Sequence, residues 1–182
     1  VCSSDLSTVV CSGSQFVVNP VNATNGIVPV DVLYAWGSPT GSNITNGQPA
    51  SNQPFIEGTL TNNVNAQRTA TYLVTPSYGT CSGLTLSGNP FTLTVFVNPT
   101  PAVSTINRSI CSGNSFAYTP INTTDGLVPD GATYRWNVPV YSNASLTGGL
   151  SNNTPSLNLF GGPIFNPTSI EQTASYTVTP GS

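Results

Sequence analysis

Along residues 69–75, TATYLVT, the side chains of Ala70, Tyr72 and Val74 alternate with Thr71 and Leu73. A period of two predicts a β-strand with one face turned inward. FTLTVFV at 91–97 keeps the same rhythm and sets Phe91, Leu93, Val95 and Val97 on one face. Phe16 alternates with Val18, and Tyr34 with Trp36. No apolar period of 3.6 residues survives more than a turn, and Pro, Gly and Asn interrupt the chain throughout. Every regular segment therefore reads as a strand.

The pattern is written twice. With a shift of 100 residues, CSGSQFVVNPVNATNGIVP at 11–29 meets CSGNSFAYTPINTTDGLVP at 111–129, and Tyr34 and Trp36 meet Tyr134 and Trp136. The shift then becomes 104, where TATYLVTP at 69–76 meets TASYTVTP at 173–180. The second copy thus carries extra residues after its Trp, an insertion of the kind surface loops tolerate. Comparing the copies assigns the faces. Ala70, Tyr72 and Val74 are kept as Ala174, Tyr176 and Val178, while Leu73 becomes Thr177, so the kept set faces the core. Ala35 becomes Arg135 between a kept Tyr and a kept Trp, so the 35/135 side faces water. NPTPAV at 98–103 joins the copies, and its two prolines favour an extended connection. This divides the chain into modules 1–98 and 99–182.

Short alternating strands, frequent turn signals and one core Trp per module predict an all-β fold of two tandem immunoglobulin-like sandwiches. The expected core residues are Phe16, Tyr34, Trp36 and Tyr72, then Phe116, Tyr134, Trp136 and Tyr176. A Trp can also line a sugar site, but repetition beside Tyr34 on the inner face assigns Trp36 to the core.

The residues CSGxxFxYTP, YxW, TAxYxVTP and the closing FTLTVFVNP resemble the PKD-like repeats of very large Bacteroidota surface proteins, among them gliding-motility adhesins exported by type IX secretion. The resemblance spans nearly the whole chain, and its motifs are structural. It implies that each module closes with a strand like 91–97. The second copy reaches Ser182 before such a strand and before a counterpart of Cys81, which implies a chain cut in mid-module. It also implies that the two family cysteines of a module pair internally, as Cys11–Cys81. Closing a loop of that length is worth about 4 kcal/mol in the chain-entropy model. Cys2–Cys81 stays open beside it. In a simple seven-strand order Cys11 and Cys81 fall at opposite ends of the sandwich, and Cys2 falls at the end of Cys81. In the second copy Ala102 replaces Cys2, and Cys111 matches Cys11.

Composition narrows the chemistry. Only 5% of residues are charged, and the three cations are Arg68, Arg108 and Arg135. There is no Lys, His or Met, and the formal net charge is −3. Nucleic-acid binding and a polybasic membrane patch therefore lack an electrostatic basis. With 37% hydrophobic residues the chain can bury a core, so the low charge does not signal disorder. No apolar run has the length of a membrane span, no signal peptide is visible, and the start at Val1 suggests a fragment. Four cysteines without a CxxC pair or a His give no zinc set and fit an oxidising, exported setting.

Without His or Lys, no nucleophile–base arrangement is available, so no enzyme and no cofactor are expected. Asp125 and Asp130 share one loop, whereas the first copy has Asn25 and Val30 there. Calcium takes carboxylate and carbonyl oxygens, so the loop is a thin candidate for a calcium site. N-x-S/T triplets begin at Asn22, Asn43, Asn107, Asn122, Asn143 and Asn152, and a chain this rich in Asn, Ser and Thr produces them freely. Two functions fit. The first is a stalk or filament segment of a bacterial cell-surface adhesin, extracellular, whose partners are neighbouring repeats of the same polypeptide. The second is a module that binds extracellular polysaccharide or a surface ligand. It would need an exposed aromatic platform, for which Tyr78, Phe96 and Tyr141 are the candidates.

Overall fold

The computed structural model of the protein describes residues 6–79 and 84–181, and among these every regular element is a β-strand. Backbone contacts separate two compact units, Val1–Pro99 and Thr100–Ser182. Both are built as open, layered sheets of the immunoglobulin-like kind.

Unit 1 contains β1 (Leu6–Cys11), β2 (Gln15–Val18), β3 (Leu33–Trp36), β4 (Ile44–Thr45), β5 (Ala50–Gln53), β6 (Ile56–Thr59), β7 (Thr61–Asn62), β8 (Arg68–Gly79), β9 (Thr85–Ser87) and β10 (Phe91–Asn98). The main sheet runs β1-β10-β8-β3-β5, with β9 on the far end of β8. The pairs β2–β6 and β4–β7 complete the unit. The alternation read in the sequence sets the register. β10 lies antiparallel to β8, with Leu93 opposite Tyr72 and Val95 opposite Ala70. On its other edge β10 takes β1 in parallel, Leu6 opposite Leu93 through Cys11 opposite Asn98. Tyr72, Val74, Leu93, Val95 and Val97 are buried together with Phe16, Tyr34, Trp36 and Ile56. Each such apolar side chain contributes roughly 1.5–3 kcal/mol relative to exposure. Phe16 of β2 reaches across to Tyr72 of β8, ring centroids 5.8 Å apart.

Unit 2 contains β11 (Ala102–Val103), β12 (Phe116–Tyr118), β13 (Gly126–Leu127), β14 (Thr133–Trp136), β15 (Val140–Tyr141), β16 (Thr147–Gly148), β17 (Asn152–Ser156), β18 (Leu159–Gly161), β19 (Ile164–Phe165), β20 (Ala174–Ser175) and β21 (Val178–Gly181). Its largest sheet runs β17-β14-β21, and the other strands pair two by two. Ala132, Tyr134, Trp136 and Leu159 form a buried cluster. Phe116 and Tyr176, expected in this core, pack against it with their rings 5.4 Å apart, yet both remain half-buried. The cause is local. β20 pairs with β15 and β21 with β14, and among the described residues no strand lies along their other edge. In unit 1 that position belongs to β10.

Candidate functional site

The repeated CSG motif is a turn. Ser14 and Asn114 donate their N–H groups to the carbonyls of Cys11 and Cys111, each at 3.0 Å. Gly13 and Gly113 hold φ near +82° and +84°, a conformation that favours glycine. The middle serine ties the turn to a distant strand end. The Ser12 hydroxyl accepts from Asn62 N at 2.9 Å and donates to Asn62 O at 3.3 Å. The Ser112 hydroxyl makes the same two bonds to Asn166, again at 2.9 and 3.3 Å. The motif therefore has a mechanical role, and its serine is engaged on both sides.

The second repeated stretch, NATNG and NTTDG, is a braced loop. Asn22 Oδ1 accepts from Val28 N at 3.0 Å, and Asn122 Oδ1 from Val128 N at 2.9 Å. Ala23 and Thr123 both sit at positive φ, 68° and 70°, held by N–H bonds to the carbonyls of Gly26 and Gly126. Asn143 and Asn152 accept from the N–H two residues ahead, in Ser145 and Thr154. These are Asx turns, which Asn followed by Ser or Thr forms readily. Four of the six N-x-S/T triplets thus brace loops through their Asn.

Among the described residues, unit 2 holds a charged cluster that unit 1 lacks. Asp125 is buried, and its Oδ2 accepts from Tyr118 Oη and from Ile121 N, both at 2.7 Å. The Arg108 guanidinium lies 3.9 Å from the centre of the Tyr118 ring, within cation–π range. The Ile121 N–H and then the Tyr118 hydroxyl hold the Asp125 carboxyl below the usual carboxylate range against the opposing effect of burial, and the Arg108 charge adds a smaller contribution in the same direction. In unit 1 the corresponding Asn25 Oδ1 accepts from Val21 N at 2.9 Å. Asp130, the other residue of the proposed calcium loop, is exposed. Among the described residues no group of three or more His, Cys, Asp or Glu is placed to hold a metal ion. Asp125 is committed to its tyrosine and its own loop.

Cys11 and Cys111 are exposed free thiols, and Cys2 and Cys81 lie outside the described residues. The expected Cys11–Cys81 bond and its alternative Cys2–Cys81 therefore fall outside the described residues; Cys11 itself stands opposite Asn98 at the end of β1.

Both Trp residues are core residues, with the indole N–H satisfied from a loop. Trp36 donates to Gln48 O at 3.2 Å and Trp136 to Leu150 O at 2.9 Å. Tyr78, Phe96 and Tyr141, the candidates for an aromatic platform, are half-buried. Tyr78 lines a cleft of about 190 Å³ in unit 1, together with Pro20, Ile27, Val32, Tyr34 and Phe91. Phe160 and Phe165 are the exposed phenylalanines. No separate signal marks them in the sequence, since they fall in the part of the second copy where the repeat register slips. Among the described residues, no helix is long and apolar enough to cross a membrane.

Comparison with known proteins agrees with the architecture. The family model for the PKD-like domain matches residues 8–101, just over half of the chain. No curated protein and no solved structure matches.

Proposed function

The chain belongs to the PKD-like domain family, and from that premise we propose that it is a structural segment of a large bacterial cell-surface adhesin. Domains of this family are typically non-catalytic structural modules of extracellular or surface proteins. The observation that carries the reading is the family match over residues 8–101 followed by a second copy of its motifs. Stacked modules extend a surface protein at little cost in design, because each repeat needs only its own core and its neighbours. Neighbouring repeats of the same polypeptide are the natural partners, and attachment or gliding the natural setting, with export by type IX secretion. Conserving turns and loop braces while varying the surface between copies suits a spacer better than a reaction centre.

The experiment has two readouts. Antiserum against the protein is applied to intact cells of the source organism, and the purified protein is run through gels containing soluble polysaccharides. Surface labelling without retardation is expected. Unlabelled intact cells would overturn the surface assignment, and saturable retardation by one polysaccharide would replace the spacer with a binding module.

A further inference from the structure

The strands by which the chain enters and leaves the main sheet of unit 1 are paired with each other. β1 and β10 run in parallel over six residues, from Leu6 opposite Leu93 to Cys11 opposite Asn98. Parallel pairing puts the entry point, Leu6, and the exit point, Asn98, at opposite ends of the pair, about 16 Å apart along the strands. A pull on the chain from both sides therefore draws β1 toward its own N-terminus and β10 toward its own C-terminus. The strands must slide past one another, and the evenly spaced bonds of a parallel ladder share that load. Among the described residues β1 has no sheet partner except β10, so tension arriving at Leu6 passes through this pair first. The exit end is fastened further. Ser12 N donates to Asn98 O and Asn62 Nδ2 to Val97 O, each at 2.8 Å, and Gln67 Nε2 donates to Asn98 Oδ1 at 2.7 Å. Asn62 is itself fixed: it is 2% exposed, its Nδ2 also donates to Ala66 O at 2.9 Å, and its N–H goes to the Ser12 hydroxyl at 2.9 Å. Leu93, Val95 and Val97 are fully buried, so β10 cannot follow β1 without stripping the core. The CSG turn thus ties the last residues of β10 to β7, and the Ser112–Asn166 pair repeats its hydroxyl brace in unit 2.

We propose that the β1–β10 pair, with the Ser12–Asn62 latch at its exit end, is a mechanical clamp by which unit 1 resists tension applied along the chain. The inference adds load-bearing to the spacer reading without resting on it, since the clamp follows from the strand register of unit 1 alone. Modules joined in series carry the same tension, so each needs its own resistance. Rupture under load is governed by the rate of unfolding rather than by equilibrium stability. Sheared bonds fail together and hold that rate down, whereas a pair opened from one end loses its bonds in turn. The direction in which force enters the pair therefore sets its strength.

The test stretches single molecules of the 182-residue protein in two geometries, under reducing conditions so that no disulfide carries load. In the first, handles sit at the N-terminus and at the exposed Thr100, and the pair is sheared. In the second, the far handle moves to the exposed Asn89, ahead of β10, and the pair is peeled from the Leu6 end. A rupture force at least about twofold higher in shear is expected, because the residue pairs yield together rather than in turn. Ser12→Pro suits the first central position of its turn but removes the N–H bond to Asn98 O and the hydroxyl bonds to Asn62. It should lower the shear force and leave the peel force unchanged. Val74→Ala, a core change on β8, should lower the midpoint in denaturant and preserve the ratio of the two forces. Equal forces in the two geometries would overturn the proposal, as would a loss in Ser12→Pro that is the same in both. Neither result alters surface labelling of cells, so failure of the clamp is distinct from failure of the surface assignment.

Discussion

Tyr72 and Tyr176 hold the same place in their units, yet Tyr72 is 1% exposed and Tyr176 is half-buried. Trp36 and Trp136 are equally matched in sequence and equally buried, at 5% and 6%. The difference separates two kinds of core residue. Each Trp sits on a strand flanked on both sides, β3 by β5 and β8, β14 by β17 and β21, and its indole is capped by a loop of the same unit. Each Tyr depends on the strand along the outer edge. Residue identity decides which side chains face inward, and the neighbouring strand decides whether they are covered.

The largest effect that tests this comparison comes from the tryptophans. Trp36→Ala and Trp136→Ala should each destabilise their unit by about 3–5 kcal/mol, with similar losses in the two units. Denaturant unfolding followed by circular dichroism measures both, and a cost at Trp136 under half that at Trp36 would break the equivalence. A smaller and deliberately unequal pair comes next. Val74→Ala removes two methyl groups from full burial and should cost about 2 kcal/mol, whereas Val178→Ala should cost less than half as much. Equal costs would mean that β10 is not what separates the units.

The smallest effect is a pH dependence confined to unit 2. Asp125 binds its proton more weakly folded than unfolded, so its contribution is present above the ordinary carboxylate value of about 3.9 and is lost as pH falls through the lower folded value. Asp125→Asn keeps the acceptor that Asn25 uses in unit 1. The gap in denaturation midpoint between the native protein and this variant should therefore shrink as pH drops from 5 to 2.5. A gap independent of pH would show that the Asp125 carboxylate contributes nothing as a charge.

Much of the fold was legible because the repeat supplied an internal comparison. Leu73 changing to Thr177 between kept neighbours marked the outer face of β8, and Leu73 is indeed exposed. The inward faces of 69–75 and 91–97 followed from two runs of the same rhythm, and the buried side chains of β8 and β10 match them. The parallel entry of β1 beside β10 was not legible, because alternation within a strand carries no information about its partner or direction. The place of Cys11 opposite Asn98 depends on that partner and was hidden for the same reason. The Asp125 cluster was half-visible. The loss of Asn25 flagged the position, but its partner Arg108 is brought in through the ring of Tyr118, a contact no spacing predicts.

The carboxamide and hydroxyl braces of these loops have a consequence for where such a chain can work. The bonds of Asn22, Asn62, Asn122 and Asn166 join groups without net charge, so dissolved ions do not screen them as they screen ion pairs. With 5% charged residues, the fold has little Coulombic energy to lose in brine and little self-repulsion to relieve in fresh water. A fold braced this way keeps its shape across changing salinity, a property that fits the proposed role of a spacer outside the cell, where no membrane regulates the surrounding solution.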